Sequence, residues 1–137
     1  MDKKQWKKIL TRFVLGLIFI LVIDNIYLYF AKDTLYKPII DPDEKINIIP
    51  AIMCWILIVF FIEVLIMSRP DLTSTNVFMY GALLGMSSYS LYNLTNYALY
   101  PSKWTVEITI ADTLWGSLLT GVTAYIMYNC KYLFIYR

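Results

Sequence analysis

A chain of 137 residues that is 59% hydrophobic and 16% charged, with a mean hydropathy of +0.59, lies outside the soluble range and inside that of multi-pass membrane proteins. Its net charge is only +2 and its basic residues gather at the N-terminus without forming a stripe, so nucleic-acid binding finds no support. With no histidine and only Cys54 and Cys130, the chain lacks the usual residues for haem, zinc and histidine-driven catalysis.

The N-terminus reads MDKKQWKKIL and leads into an apolar run. The layout resembles a secretory signal, but the run passes through Asp24 and Asn25 into IYLYFA with no small-residue cleavage site. A retained first span over about 13–31 is therefore expected, with Trp6 as an interfacial anchor. KPIIDPDEK follows, and its Asp41, Asp43 and Glu44 read as a solvated connector. A second span covers about 48–67, with Glu63 near its inner end, where it serves as an inner-side charge within reach of Arg12 or Arg69. After SRPDLTST comes a third span over about 77–99, then YPSK, then a fourth over about 106–128. Each is about as long as the roughly 20 residues a bilayer core requires.

Short connections make sequential helices antiparallel neighbours. The expected fold is therefore an all-α membrane protein, a single four-span domain over 1–137 built as a bundle of four antiparallel transmembrane helices. Even span number puts both termini on one side. That side carries Lys3, Lys4, Lys7, Lys8, Arg12, Arg69, Lys131 and Arg137; the other carries Lys32, Lys37, Lys45 and Lys103. The imbalance predicts that both termini are cytoplasmic. Cys54 and Cys130 then lie near opposite faces, too far apart to bond, and read as small lipid-compatible hydrophobes.

Orientation fixes depth. Asp24 and Asn25 lie past the midpoint of the outward-running first span, Asn93 and Asn96 late in the outward-running third, and Asp112 early in the inward-running fourth. All five fall in the outer half of the membrane. An aspartate near a helix centre costs about 2.5–3.5 kcal/mol on insertion scales, so it must face the interior and find partners. On the third span Gly81, Gly85, Tyr89, Tyr92 and Asn96 form a stripe that begins as G-x-x-x-G. On the fourth, Asp112, Gly116, Thr120 and Ala124 recur every fourth residue, with Trp115 beside them. The expectation is that the amides and tyrosines of YSLYNLTNYALY satisfy Asp112 and Asp24, while Gly81, Gly85 and Gly116 allow close helix packing. The candidate polar intramembrane site is thus Asp24, Asn25, Tyr89, Tyr92, Asn93, Asn96, Asp112 and Trp115.

The block GALLGMSSYSLYNLTNYALYPSKWTVEITIADTLWGSLLTG resembles the signature of the domain of unknown function 2177 family, small predicted multi-pass membrane proteins. That signature has a G-A-x-x-G start, a Y-x-x-Y-D-L-T-N core, a tryptophan, and an aspartate before W-G. The positions that correspond here are Gly81, Gly85, Tyr89, Tyr92, Asn93, Leu94, Thr95, Asn96, Trp104, Asp112, Trp115 and Gly116. VIDNIYLYF is similar to the family's first-span aspartate motif, and FFIEVLIMSRPD to the end of its second span. One position departs: the core aspartate is Asn93, which keeps the hydrogen-bonding shape but cannot titrate. The resemblance implies a helical membrane fold with a polar core and supplies no activity.

Three functions compete. In the first, Asp24, Asp112, Asn93 and Asn96 coordinate a cation or a polar lipid headgroup. In the second, a structural or accessory membrane protein packs against partner helices, and its polar residues serve only helix–helix hydrogen bonding. An enzyme acting on lipid ranks last, because the chain has no histidine box, G-x-S-x-G, H-E-x-x-H or phosphate loop. No catalytic residue, metal ligand set or cofactor is assigned. The expected partners are the lipid bilayer and, among proteins, a homo-oligomer or partner membrane helices.

Overall fold

Helix α1 starts where a short polar side chain can cap it. The Asp2 carboxylate accepts from the Lys4 backbone N–H at 3.4 Å, and Gln5 Oε1 accepts from the Asp2 N–H at 3.2 Å, a reciprocal capping box. The helix then runs over Lys3–Ala31. It begins well before the expected span at 13, because its first turns are polar and hydropathy measures burial in lipid rather than helicity. The computed structural model describes residues 2–40, 45 and 47–130; Asp41, Asp43, Glu44, Lys131 and Arg137 lie outside them.

Three further helices follow: α2 (Ile48–Phe61), which continues into a π-helical turn over Ile62–Met67, α3 (Ser74–Leu99) and α4 (Val106–Asn129). Asn47, Thr73 and Thr105 cap them, each side-chain oxygen taking a first-turn backbone N–H. Among the described residues the fold is all-helical, with no strand. Two stretches, Lys3–Ala31 and Ile48–Met67, are long and apolar enough to cross a membrane.

Close packing centres on α3 and α4. Gly81 lies against Ala124, Thr120 and Gly121; Gly85 against the Gly116 carbonyl and Thr120; and Gly116 beneath the Tyr89 ring. Asn93 then reaches Asp112. As the α3 number rises the α4 number falls, so the two run in opposite senses. On both helices the line of contact follows every fourth residue, the ridge that lets helices with small side chains interlock. Ser117 adds a cross-helix bond, its hydroxyl donating to the Ala82 carbonyl at 2.9 Å.

Against this pair, α1, α2 and the π-helical turn contribute Ile20, Trp55, Val59, Ile62 and Ile66 to a core shared with Val77, Leu119, Ala124 and Met127. A second cluster joins Ala31, Tyr36, Trp104 and Ile108. Tyr36 enters it from the folded segment after α1, where its N–H donates to the Ala31 carbonyl at 3.0 Å and its own carbonyl accepts from Ile39 at 2.9 Å. These bonds turn the phenol inward, over the end of the helices.

Candidate functional site

Asp24 and Asp112 are both buried, at 8% exposure each. Every carboxylate oxygen has a donor. Asp24 Oδ1 accepts from Trp115 Nε1 and Oδ2 from Trp55 Nε1, each at 2.8 Å. Asp112 Oδ1 accepts from the Tyr36 hydroxyl, and Oδ2 from Asn93 Nδ2 at 2.7 Å. Asp24 thus ties α1 to α2 and α4, and Asp112 ties α4 to α3 and the segment after α1.

Asn93 is fully buried and its amide is used at both ends. Its Nδ2 also donates to the Tyr89 carbonyl at 2.9 Å, while its Oδ1 accepts from Trp104 Nε1 at 3.1 Å. Trp104 reaches this site because the turn after α3, in which its N–H donates to the Tyr100 carbonyl at 2.8 Å, folds the indole back beneath the helix end. An amide suits the position because it donates on one side and accepts on the other.

Tyr27 links the two carboxylate centres. Its ring stacks on Trp115 with centroids 4.2 Å apart, and its hydroxyl lies 3.4 Å from that of Tyr36. Burial, and then the bond to Asp112, push the Tyr36 phenol well above its ordinary range, so it remains a donor. The donors to the two aspartates are all neutral. Among the described residues the ion pairs are Arg12–Glu63 and Lys32–Asp33, and no group of three or more histidine, cysteine or acidic side chains is placed to hold a metal.

The expected site residues divide. Asp24, Asn93, Asp112 and Trp115 come together in the network, and Tyr89 packs beside it over Gly116. Asn25 is exposed and donates to the Leu21 carbonyl of its own helix at 2.7 Å. Asn96 likewise donates to the Tyr92 carbonyl at 2.9 Å. Tyr92 is 56% exposed and meets the network only through an edge contact with the Trp104 ring. Glu63, in the π-helical turn that follows α2, pairs with Arg12 and is not joined to the aspartates. Gly81, Gly85 and Gly116 are spent inside the chain, where α3 meets α4.

Sequence reasoning missed Trp55, Tyr36 and Tyr27. Trp55 carried a usable signal: on an inward-running second span it sits in the outer half, at the depth of Asp24, and its indole N–H is a donor with few alternatives in lipid. Tyr36 carried none, because its position depends on how the segment after α1 folds back.

Neither the curated proteins nor the solved structures yield a match to the chain. The family model described as a predicted membrane protein, DUF2177, matches residues 9–129, which takes in α1 from Ile9 onward, the other three helices and every residue of the hydrogen-bonded network. The chain therefore belongs to the DUF2177 family of predicted membrane proteins.

Proposed function

We propose that the chain is an integral membrane protein whose four helices cross the bilayer as an antiparallel bundle with both termini cytoplasmic, and that it acts as a structural or accessory component. Its outer surface supports the four crossings. Ile110, Leu114 and Leu118 on α4 and Met79, Leu83 and Met86 on α3 are exposed, as are Val14, Ile18, Val22 and Ile26 on α1. Apolar rows of this extent are costly in water and suited to lipid tails. At 26 and 24 residues, α3 and α4 are about 39 and 36 Å long, enough for a core of about 30 Å. Their lower hydropathy reflects the buried Asn93, Asp112, Thr120 and Thr123 together with Ser87, Ser88 and Thr95, whose hydroxyls bond carbonyls of their own helix. Tyr29, Phe30, Tyr97 and Tyr100 are exposed near the outer ends of α1 and α3, where an aromatic belt belongs.

One observation carries the structural reading: all four oxygens of Asp24 and Asp112 already accept hydrogen bonds from side chains on other elements. A cation could engage them only at the lone pairs those bonds leave over, beside indole, phenol and amide donors whose positive ends face the same oxygens. The network works instead as a clamp that fixes helix register, with apolar faces left for lipid and for partner membrane helices or a second copy. The glycine stripe is not available for that role, since it is occupied between α3 and α4.

A second reading, in which the layer holds a cation or the ammonium of a lipid headgroup, is favoured by the absence of a cationic partner for either aspartate among the described residues. Thermal unfolding of the purified protein in detergent, across sodium, potassium, magnesium and calcium series and with added phosphatidylethanolamine, separates the two. The clamp predicts no additive-dependent rise, because only a ligand bound to the folded state raises apparent stability. A rise abolished by Asp24→Asn or Asp112→Asn would move the assignment to the binding site.

A further inference from the structure

At the opposite end from the aspartates, where α1 begins and α4 ends, a cavity of about 190 Å³ is lined by Lys8, Arg12, Arg69, Ile66, Leu72 and Tyr128. Three cationic side chains converge on it from two elements: Lys8 and Arg12 from the first turns of α1, and Arg69 from the segment after the π-helical turn. Only Arg12 has a carboxylate partner, Glu63, and its Nε is buried with no acceptor. Neither Lys8 nor Arg69 has a carboxylate within ion-pair distance among the described residues. The Arg69 guanidinium lies over the Tyr80 ring, 4.9 Å from its centroid, which holds the group in place without neutralising it. Among the described residues, three cations around one paired carboxylate leave Lys8 and Arg69 without an ion-pair partner.

The walls are built as firmly as the charges are placed. Ile66, 3% exposed, comes from the π-helical turn, a geometry often found at functional sites. The Tyr128 hydroxyl donates to the Leu72 carbonyl and so fastens the end of α4 to the segment leading into α3. That segment is bent at Asp71, whose φ of 59° is unusual for a residue other than glycine. By the liquid share of about 30 Å³ per water, the cavity has room for about six waters, enough for a phosphate group and its first ester carbons.

We propose that this cavity binds a phosphate group, carried either by an anionic lipid headgroup or by a soluble phosphate. Arginine and lysine at an inner membrane boundary suit such an anion, and basic pockets between helices on that side take lipid headgroups. Ile66 and Leu72 offer an apolar wall to the glycerol end of a lipid, and this arm alone depends on the membrane-spanning reading. The phosphate arm is tested in micelles and stands or falls without it.

The experiment measures thermal unfolding of the full chain in a neutral detergent, at fixed ionic strength, titrated with phosphatidylglycerol, phosphatidylcholine or inorganic phosphate. Saturable stabilisation by phosphatidylglycerol and not by phosphatidylcholine identifies the lipid source; stabilisation by inorganic phosphate identifies the soluble one. In either case Lys8→Gln combined with Arg69→Gln should weaken apparent affinity about tenfold or more, since loss of even one charge-assisted hydrogen bond costs about that factor and glutamine keeps only a neutral one. Both side chains are exposed, so the variant should fold, and its unfolding in detergent alone checks this. Lys3→Gln with Lys4→Gln removes equal charge outside the cavity and should leave affinity unchanged. Stabilisation by neither probe overturns the proposal, as does an equal loss from the two double variants, which would mean general attraction to a basic terminus.

Discussion

Replacing Gly85 with alanine tests the α3–α4 register directly. A Cβ there would run into the Gly116 carbonyl oxygen and would sit 2.7 Å from both Cβ and Oγ1 of Thr120. Ordinary carbon contacts are about 3.5–4.0 Å, so α4 would have to retreat by about 1 Å. The obstacle includes backbone, which cannot rotate aside. Overpacking of this kind costs about 1–3 kcal/mol, and relief of the glycine's helix penalty returns at most about 1 kcal/mol. A net loss of about 1–2 kcal/mol follows, with further loss if the retreat stretches the 2.7 Å bond between Asn93 and Asp112. Gly16→Ala is the contrast. Its Cβ would meet only side-chain atoms, Met127 Sδ at 2.5 Å, Met127 Cγ at 2.8 Å and Val59 Cγ1 at 3.4 Å, so the fully buried Met127 must repack but no backbone has to move. It should therefore cost less than Gly85→Ala. Thermal unfolding in detergent, followed by circular dichroism, ranks the two. If Gly85→Ala matches the wild type, or Gly16→Ala loses more, the close approach of α3 to α4 is wrongly placed.

Asp112→Leu should cost about 2–5 kcal/mol, because it strands the Tyr36 hydroxyl and one Asn93 N–H in a buried site, each worth about 1–3 kcal/mol. Glu63→Gln keeps an acceptor for Arg12 and should cost about 1 kcal/mol; equal losses from the two would argue against Asp112 as a clamp. For topology, single cysteines placed in KPIIDPDEK and at the C-terminus, with Cys54 and Cys130 changed to serine, should label from opposite sides of sealed vesicles. Labelling from the same side is incompatible with four crossings.

The aspartates, Asn93 and the glycines were legible in the sequence because each breaks a hydropathy or size pattern, and Trp115 because it lies beside the stripe of Asp112 and Gly116. A charged group in an apolar run must turn inward, and a glycine at four-residue spacing marks a close approach. What stayed hidden were donors that hydropathy counts as apolar. The indole of Trp55 and the phenols of Tyr27 and Tyr36 look like filling until the carboxylate they serve is located. The facing of α3 was blurred for a different reason. On an isolated helix Tyr92 and Asn96 share a stripe with Gly81 and Gly85, since sixteen residues of sequence do not reveal how a neighbour crosses. The contact follows the four-residue ridge through Tyr89 to Asn93, which carries Tyr92 to the surface and leaves Asn96 bonded to its own helix.

Asn93 shows how the clamp is balanced in this chain. Its Oδ1 takes the Trp104 indole and its Nδ2 gives to Asp112 Oδ2 across 2.7 Å. The signature that this stretch resembles has an aspartate at this position. Such a carboxyl could still accept from Trp104, but its second oxygen would face the Asp112 oxygen, and two carboxylates at that separation require a proton between them. The amide supplies that hydrogen covalently. The substitution therefore keeps the geometry of a carboxyl–carboxylate pair while removing one exchangeable proton from it, so that the cross-helix bond from α3 to α4 no longer depends on protonation at residue 93. The loss of a titrating group at this position leaves the cross-helix hydrogen bond in place, since the amide donates to Asp112 whatever the pH.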